Sequence, residues 1–257
     1  MAPTGNSSAD GSIERNAGSM SDEPTILARK AIIVGASGGI GAALAQALRR
    51  RGCDVIALSR GGGKESLTLD IEDEESIESA AGKLQDRAPF DLIIIATGML
   101  HAPKVQPEKT YRDLNPAALA QYFALNATGP ALVARYFLPL LERRQRAVFA
   151  VLSARVGSVS DNRLGGWYGY RASKAALNMI VKCLAIEVSR TRPNTLCLAL
   201  HPGTVDTPLS KPFQKSVPSD RLFSGGQAAE RLLGVIEAAS ADDNGRLLAW
   251  DGSVIAP

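Results

Sequence analysis

A tyrosine and a lysine four positions apart, in Tyr170-Arg171-Ala172-Ser173-Lys174, form the pair in this sequence best suited to moving a proton. On a helix, positions i and i+4 share a face, about 5–6 Å apart at Cβ. A free phenol titrates near pH ~10, too high to exchange protons easily at neutral pH. A fixed ammonium beside it favours the phenolate and lowers that pKa. Tyr170 can then act as general acid in a reduction and as general base in an oxidation. Such a pair also occurs on plain solvated helix faces, so its company decides. Tyr168 has Ala172 where its lysine would stand, and is expected to line a pocket with Trp167 instead.

The company is a glycine turn. Gly35-Ala36-Ser37-Gly38-Gly39-Ile40-Gly41 follows the apolar run Ala31–Val34 and opens an amphipathic segment. Gly35, Gly39 and Gly41 let backbone N–H groups, with Ser37 and Ile40 beside them, approach a pyrophosphate at a helix N-terminus. The position between strand and helix separates a dinucleotide site from an ordinary tight turn. An acidic residue about 20 positions further on would bond the adenosine ribose 2′-hydroxyl. That place holds Ser59 and Arg60. No carboxylate repels a 2′-phosphate there, and a guanidinium can pair with one, which points to NADP(H) over NAD(H).

These residues need a rigid frame. Short β-branched runs at Ala31–Val34, Val55–Leu58, Leu92–Ala96, Ala147–Leu152 and Thr195–Leu200 are apolar on both sides, as in strands covered on both faces. Helical spacing fills Ile40–Arg51, Glu74–Arg87, Pro116–Arg143, Ala172–Arg190 and Gln227–Ala239, and Arg246–Trp250 reads as extended. This alternation predicts βαβ units and a single α/β doubly wound domain over 28–257. The first 27 residues, rich in Gly, Ser, Asn and Asp, cannot bury enough surface to order themselves and read as a disordered tail. Met99–Asn115 and Thr204–Gly226 are long, proline-bearing connections at strand carboxyl ends, where a lid or binding wall belongs.

The 257 residues carry 29 Lys plus Arg against 26 Asp plus Glu, a net charge of +3 with scattered basic side chains. That argues against nucleic acid as a partner. No apolar run reaches the roughly 18 residues of a membrane span. Three widely spaced cysteines fit neither a disulfide framework nor a zinc site, and point to a reducing, cytoplasmic setting. His101 and His201 lack nearby carboxylates, so no metal or catalytic triad is expected, although His101 and Met99-Leu100 can border a partly apolar substrate pocket.

The GxxxGxG spacing, with Tyr170 and Lys174 about 130 residues later, resembles the short-chain dehydrogenase/reductase family over residues 28 to about 256. The resemblance implies a Rossmann-type parallel sheet of about seven strands with helices on both faces. It also implies hydride transfer between a nicotinamide and an alcohol or carbonyl. It assigns Asp70-Ile71 to the adenine and Lys174 also to the nicotinamide ribose. The family's Asn-Asn-Ala-Gly turn becomes Ala96-Thr97-Gly98, changed in side chains but keeping the glycine. Pro202, Gly203, Val205 and Thr207 would close over the nicotinamide and pyrophosphate. Asn126, in a locally poor helix beside Gly129-Pro130, matches the residue that holds a proton-relay water. Assembly as a homodimer or homotetramer through the Tyr170 helix is implied too. Gly-Ser-Val-Ser-Asp-Asn and Gly-Gly-Trp-Tyr-Gly-Tyr look like the branch of sniffer-type carbonyl reductases and bacterial C-factor-like proteins.

One departure concerns the serine that holds the substrate oxygen. The family register, counted from Gly157, falls on Ala154. Ser153 stands one step away, which on a strand reverses the side-chain direction. Ser153 ends an apolar strand and is the expected catalytic serine, with Ser158, or no serine, as the alternatives. The sequence thus points to an NADP(H)-dependent oxidoreductase acting on a small or medium, partly apolar carbonyl or the corresponding alcohol. A catalytically weak NADP(H)-binding sensor on the same fold is the alternative.

Overall fold

The computed structural model describes residues 28–63 and 66–257, and the tail expected over 1–27 lies outside them. The strands are β1 (Lys30–Val34), β2 (Asp54–Ser59), β3 (Ser66–Thr68), β4 (Leu92–Ile95), β5 (Ala147–Leu152), β6 (Thr195–His201), β7 (Thr204–Val205), β8 (Leu222–Phe223), β9 (Leu247–Ala249) and β10 (Val254–Ile255). The α-helices are α1 (Gly39–Arg50), α2 (Glu74–Gly82), α3 (Pro116–Phe123), α4 (Gly129–Phe137), α5 (Tyr168–Ser189) and α6 (Gly225–Ala238).

Eight strands form one sheet in the order β10-β9-β6-β5-β4-β1-β2-β3. Every pairing is parallel except β10 against β9. The parallel part matches the expected frame, and β10 adds a short antiparallel edge. Two-residue strands carry no periodicity, so β10 and the small β7–β8 sheet left no trace in the pattern.

The apolar runs divide by the period of two. Ile32, Val34, Ile93, Ile95, Phe149 and Val151 face α2, α4 and α5. Ala31, Ile33, Leu92, Ile94, Val148 and Ala150 face α1 and α6. Both faces are dry, which is why these strands read as continuous hydrophobic runs. The chain steps outward from β1 through β2 and β3, then returns to β4 on the other side of β1. This reversal opens a crevice at the strands' carboxyl ends, the place where open α/β sheets bind ligands.

Two predicted helices are shorter than their patterns. The segment Pro116–Arg143 divides into α3, a π turn at Ala124–Thr128, α4, and a 3₁₀ turn at Leu138–Leu140. Pro139 accounts for the end. At Gly129 a Cβ would lie 2.5 Å from the Ile71 carbonyl, so the chain crosses β3's exit too closely for a side chain. The segment Glu74–Arg87 ends at Gly82 and continues as a 3₁₀ turn over Gln85–Arg87.

Candidate active site and dinucleotide groove

Helix α5 begins at the carboxyl edge of the sheet, so Tyr170 and Lys174 on its first two turns lie beside the crevice. Tyr170 is 8% exposed and Lys174 3% exposed. The Lys174 ammonium is 6.0 Å from the Tyr170 ring centre. Its Nζ donates to the Leu152 carbonyl, 2.8 Å away at the end of β5. Burial lowers the Lys174 pKa to about 8. Burial, and then the neighbouring Tyr122, push the Tyr170 phenol above its ordinary value. In this arrangement desolvation outweighs the expected lowering of the phenol by the ammonium. Tyr168, expected in the pocket, is 39% exposed, and Trp167 alone lines the cavity. One residue along a helix turns a side chain by about 100°, which takes Tyr168 out to solvent.

Asn126 sits on the π turn and is 1% exposed. Its Oδ1 accepts from Met99 N at 2.8 Å, while Nδ2 donates to Met99 O at 2.9 Å and to Ser173 Oγ at 3.1 Å. The amide therefore locks the chain leaving β4 onto α5. π turns of this kind recur at functional sites because they re-aim a side chain inside a helix.

Ser153 and Ala154 both border the cavity, but their side chains differ in direction. Ser153 Oγ donates to Asn178 Oδ1 on α5 at 2.6 Å. Ala154 packs its methyl into the cluster of Tyr170, Tyr122, Met99 and Leu100. The position three before Gly157 thus carries a methyl in the same apolar cluster as Tyr170. Ser153 N still pairs with Leu200 O at 2.8 Å, so no bulge turns its hydroxyl round. Ser158 is buried and accepts from Asp161 N, a turn contact.

The glycine turn connects β1 to α1 as predicted. At Gly41 a Cβ would stand 2.2 Å from the Gly35 carbonyl, so only glycine lets the helix start there. The first turn of α1 has no side-chain cap and no acidic residue. Its N–H groups and the positive end of the helix dipole remain available to an anion. Two cavities meet at this turn. One, about 560 Å³, runs from Ser37, Gly39 and Ile40 past Thr97 to Tyr170 and Lys174. The other, about 250 Å³, lies under Gly35, Ser59, Arg60, Asp70 and Ile71. Ser37, Gly38, Ala96, Thr97 and Gly98 border both, so the two form one groove. The Thr97 hydroxyl is buried with no hydrogen-bond partner among the described residues. A long ligand with an anionic centre, such as a dinucleotide, fits that donor set and that length.

Ser59 is 5% exposed and its hydroxyl meets Ser66 Oγ at 2.9 Å. Arg60 is exposed and forms no ion pair among the described residues. Pro202, Gly203, Val205 and Thr207 line the larger cavity opposite α1. Beneath them Phe223 and Trp250 meet edge to face at 4.9 Å, and Arg231 covers both rings, 4.1 and 4.3 Å from their centres, and supports this flap. Among the described residues no cluster of His, Cys, Asp or Glu could hold a metal ion, and no helix is long and apolar enough to cross a membrane.

The two long connections meet over the pocket. Leu100 from the first packs with Leu209 and Phe213 from the second and with Trp167. Phe213 is the keystone, edge-on to Trp167 at 5.1 Å and to His101 at 5.8 Å. His101 Nε2 also meets Pro208 O at 3.3 Å, so His101 props the wall. No sequence motif marks Phe213, Asn178, Tyr122 or Glu108. Only Tyr122 left a signal, since it stands one turn before Asn126.

Comparison with known proteins fits this geometry. A curated relative, 1-hydroxy-2-glutathionyl-2-methyl-3-butene dehydrogenase of Rhodococcus sp., is 30% identical over 87% of this chain and 97% of its own length. The C-signal protein of Myxococcus xanthus is 32% identical over 56% of this chain and 81% of its own. The NADPH-bound carbonyl reductase from chicken fatty liver superposes with a TM-score of 0.76 at 23% identity, covering 89% and 94% of the two chains. The carbonyl reductase Sniffer of D. melanogaster gives 0.74 at 21% identity, covering 89% and 99%. The family model for short chain dehydrogenases matches residues 29–218. With the glycine turn, the Tyr170–Lys174 pair and the parallel sheet in their expected relation, the chain belongs to the short chain dehydrogenase family of oxidoreductases, with the C-signal protein among its relatives and the fold of the Sniffer carbonyl reductase.

Proposed function

We propose that the chain is an NADP(H)-dependent oxidoreductase that interconverts a carbonyl and an alcohol, with Tyr170 as the proton donor and acceptor. The observation that carries this reading is the burial of Tyr170 and Lys174 where the dinucleotide groove opens into an apolar pocket. When bound, the nicotinamide supplies or takes up the hydride at the substrate carbon. In the reducing direction, Tyr170 Oη gives its proton to the substrate oxygen as the C–O double bond becomes single. Lys174 carries a positive charge within reach of the phenolate that remains, and it also serves the ribose. Asn126 keeps the Met99 backbone in place. Ser153 acts through Asn178, one turn beyond Lys174, rather than on the substrate oxygen. Leu100, Trp167, Leu209 and Phe213 exclude water and select a partly apolar substrate.

Arg60 in the smaller cavity supports NADP(H) over NAD(H), and Asp70 and Ile71 form the adenine side of that cavity. The structural neighbour from chicken fatty liver carries NADPH by its own description. Three free cysteines support a reducing, cytoplasmic setting. Exposed Met179 and Ile186 on α5 support pairing of copies through that helix as dimers or tetramers. A domain spanning 28–257, with 1–27 as a tail, completes the reading.

A second reading, an NADP(H)-binding sensor with little turnover, is favoured by the Ala154 methyl beside Tyr170. One experiment separates the two. NADPH and NADH are titrated by fluorescence against the wild type and Arg60→Ala, and NADPH oxidation is followed with a panel of aldehydes, ketones and quinones. The proposal expects NADPH to bind about tenfold more tightly than NADH and to lose that margin in Arg60→Ala. Turnover with any of the carbonyls establishes the enzyme. NADPH binding without turnover establishes the sensor, and equal cofactor affinities refute the NADP(H) preference.

A further inference from the structure

We propose that Glu108 is a positioning residue for Tyr170, whose buried carboxylate caps the catalytic helix from the substrate-wall loop and fixes the phenol against that wall. The inference rests on the oxidoreductase reading. Helix α5 starts without a cap of its own, because its N-cap residue is Trp167, which has no oxygen to offer. Trp167 also holds a left-handed backbone, φ +52°, which a bulky residue adopts only when its surroundings impose it.

Glu108, 61 residues before Gly169, imposes it. Its side-chain oxygens accept from Gly169 N at 3.1 and 3.3 Å, and its main-chain carbonyl accepts from Trp167 N. Glu108 is 3% exposed, the only buried carboxylate among the described residues, and no ion pair holds it there. Its compensation is the positive end of α5, whose unpaired N–H groups favour an anion.

The position of this cap is what ties it to the chemistry. Gly169 directly precedes Tyr170, and a Cβ there would stand 2.4 Å from the Tyr122 ring and 3.0 Å from Glu108 Oε1. Tyr122 in turn lies 6.4 Å from the Tyr170 ring and donates to the Leu100 carbonyl at 2.7 Å. Glu108 and Leu100 belong to the same connection, and Leu100 lines the pocket. The loop that shapes the substrate wall and the turn that carries the proton donor are therefore fastened at one point. A local Ser or Asp cap would stabilise α5 equally well but would leave its first turn free to shift against the wall.

The test uses Glu108→Ala, Glu108→Gln and Glu108→Asp in the full chain. Turnover is followed with the best carbonyl of the panel, NADPH affinity by fluorescence, and the Tyr170 phenolate by ultraviolet difference titration against matched Tyr170→Phe variants. A misplacement of about 1 Å costs on the order of a hundredfold in rate, so Glu108→Ala is expected to lose roughly ten- to a hundredfold in kcat. NADPH affinity stays, because the groove does not include Glu108. The Tyr170 titration moves to lower pH, because a loosened first turn admits water to a phenol whose ionisation is opposed first by burial and then by Tyr122, with the Lys174 ammonium 6.0 Å from its ring. Glu108→Gln keeps an acceptor oxygen and is expected to recover most of the loss, with Glu108→Asp between the two.

Wild-type kcat and an unmoved phenolate titration in Glu108→Ala overturn the inference, and so does a Gln variant as impaired as Ala. If Glu108→Ala fails to fold, Glu108→Asp takes its place, and wild-type behaviour there overturns it. Full turnover in Tyr170→Phe would instead sink the functional reading itself. The phenolate titration needs no substrate, so the inference remains testable if the protein proves to be a sensor.

Discussion

Replacing Lys174 with Met is expected to make the protein more stable near neutral pH while removing its turnover. The side chain is 3% exposed, and burial lowers its pKa from 10.5 to about 8. A difference of about 2.5 pH units, at about 1.36 kcal/mol each, is roughly 3 kcal/mol of unfavourable ionisation carried by the folded state. Against this stands the bond from Nζ to the Leu152 carbonyl at 2.8 Å. Leaving that carbonyl without a donor costs about 1–3 kcal/mol. The net gain is about 1 kcal/mol, a rise of about 2–4 °C in Tm for a chain of this size.

The pH dependence sharpens the prediction. The folded pKa lies below the unfolded one, so between about 8 and 10.5 the unfolded chain binds more protons, and wild-type stability rises with pH. Lys174→Met lacks that rise. Its advantage is full below about pH 8 and is gone by about 10.5, where the bare Leu152 carbonyl leaves it the weaker protein. Urea unfolding of both proteins across this range measures the difference, in which the titrations of shared groups cancel. A variant less stable than wild type by the same margin at every pH would refute the argument that burial of the ammonium destabilises the fold. Full turnover in the variant would remove Lys174 from the site.

Tyr170→Phe should cost about 10²–10⁴-fold in turnover with NADPH affinity nearly unchanged, while exposed Tyr168→Phe retains activity; steady-state kinetics with the reverse order would reassign the proton donor. Because the Ser153 hydroxyl is held by Asn178, Ser153→Ala should lose less than about tenfold in kcat, whereas Ala154→Ser places a donor beside the substrate oxygen and should raise it, since one such donor is worth about 10²–10³-fold elsewhere. A loss of about a hundredfold or more in Ser153→Ala would restore Ser153 as the oxygen-holding residue. Burial lowers the His201 pKa from 6.5 to about 4, so the unfolded chain takes up a proton across that window while the folded one stays neutral. Stability should therefore fall as pH drops from 6.5 toward 4, and His201→Gln should flatten that part of the acid-unfolding curve; an unchanged curve would refute the assignment.

Residues that act through local spacing were readable in the sequence. The glycine turn, the Tyr170–Lys174 pair and the five long strands each depend on neighbours within a few positions, because helices repeat every 3.6 residues and strands every two. The weak helix around Asn126 was readable for the same reason, although the sequence could not say that it becomes a π turn. Ser153 marks the boundary. Alternation set Ser153 and Ala154 on opposite sides, but only the fold showed that Asn178 from α5 already bonds the hydroxyl and that the Ala154 methyl packs into the Tyr170 cluster.

What tertiary structure alone decided are contacts between segments far apart in the chain. Glu108 caps a helix 61 residues away, Phe213 joins Trp167 to His101, and Arg231 covers the contacting Phe223 and Trp250 rings. The ionisation of the Tyr170–Lys174 pair belongs to the same class. Spacing predicted an ammonium that lowers a phenol, yet the depth of both groups in the fold raises the phenol and lowers the lysine. Desolvation depends on every atom packed around a charge, and that count comes into being only when the chain has closed over it.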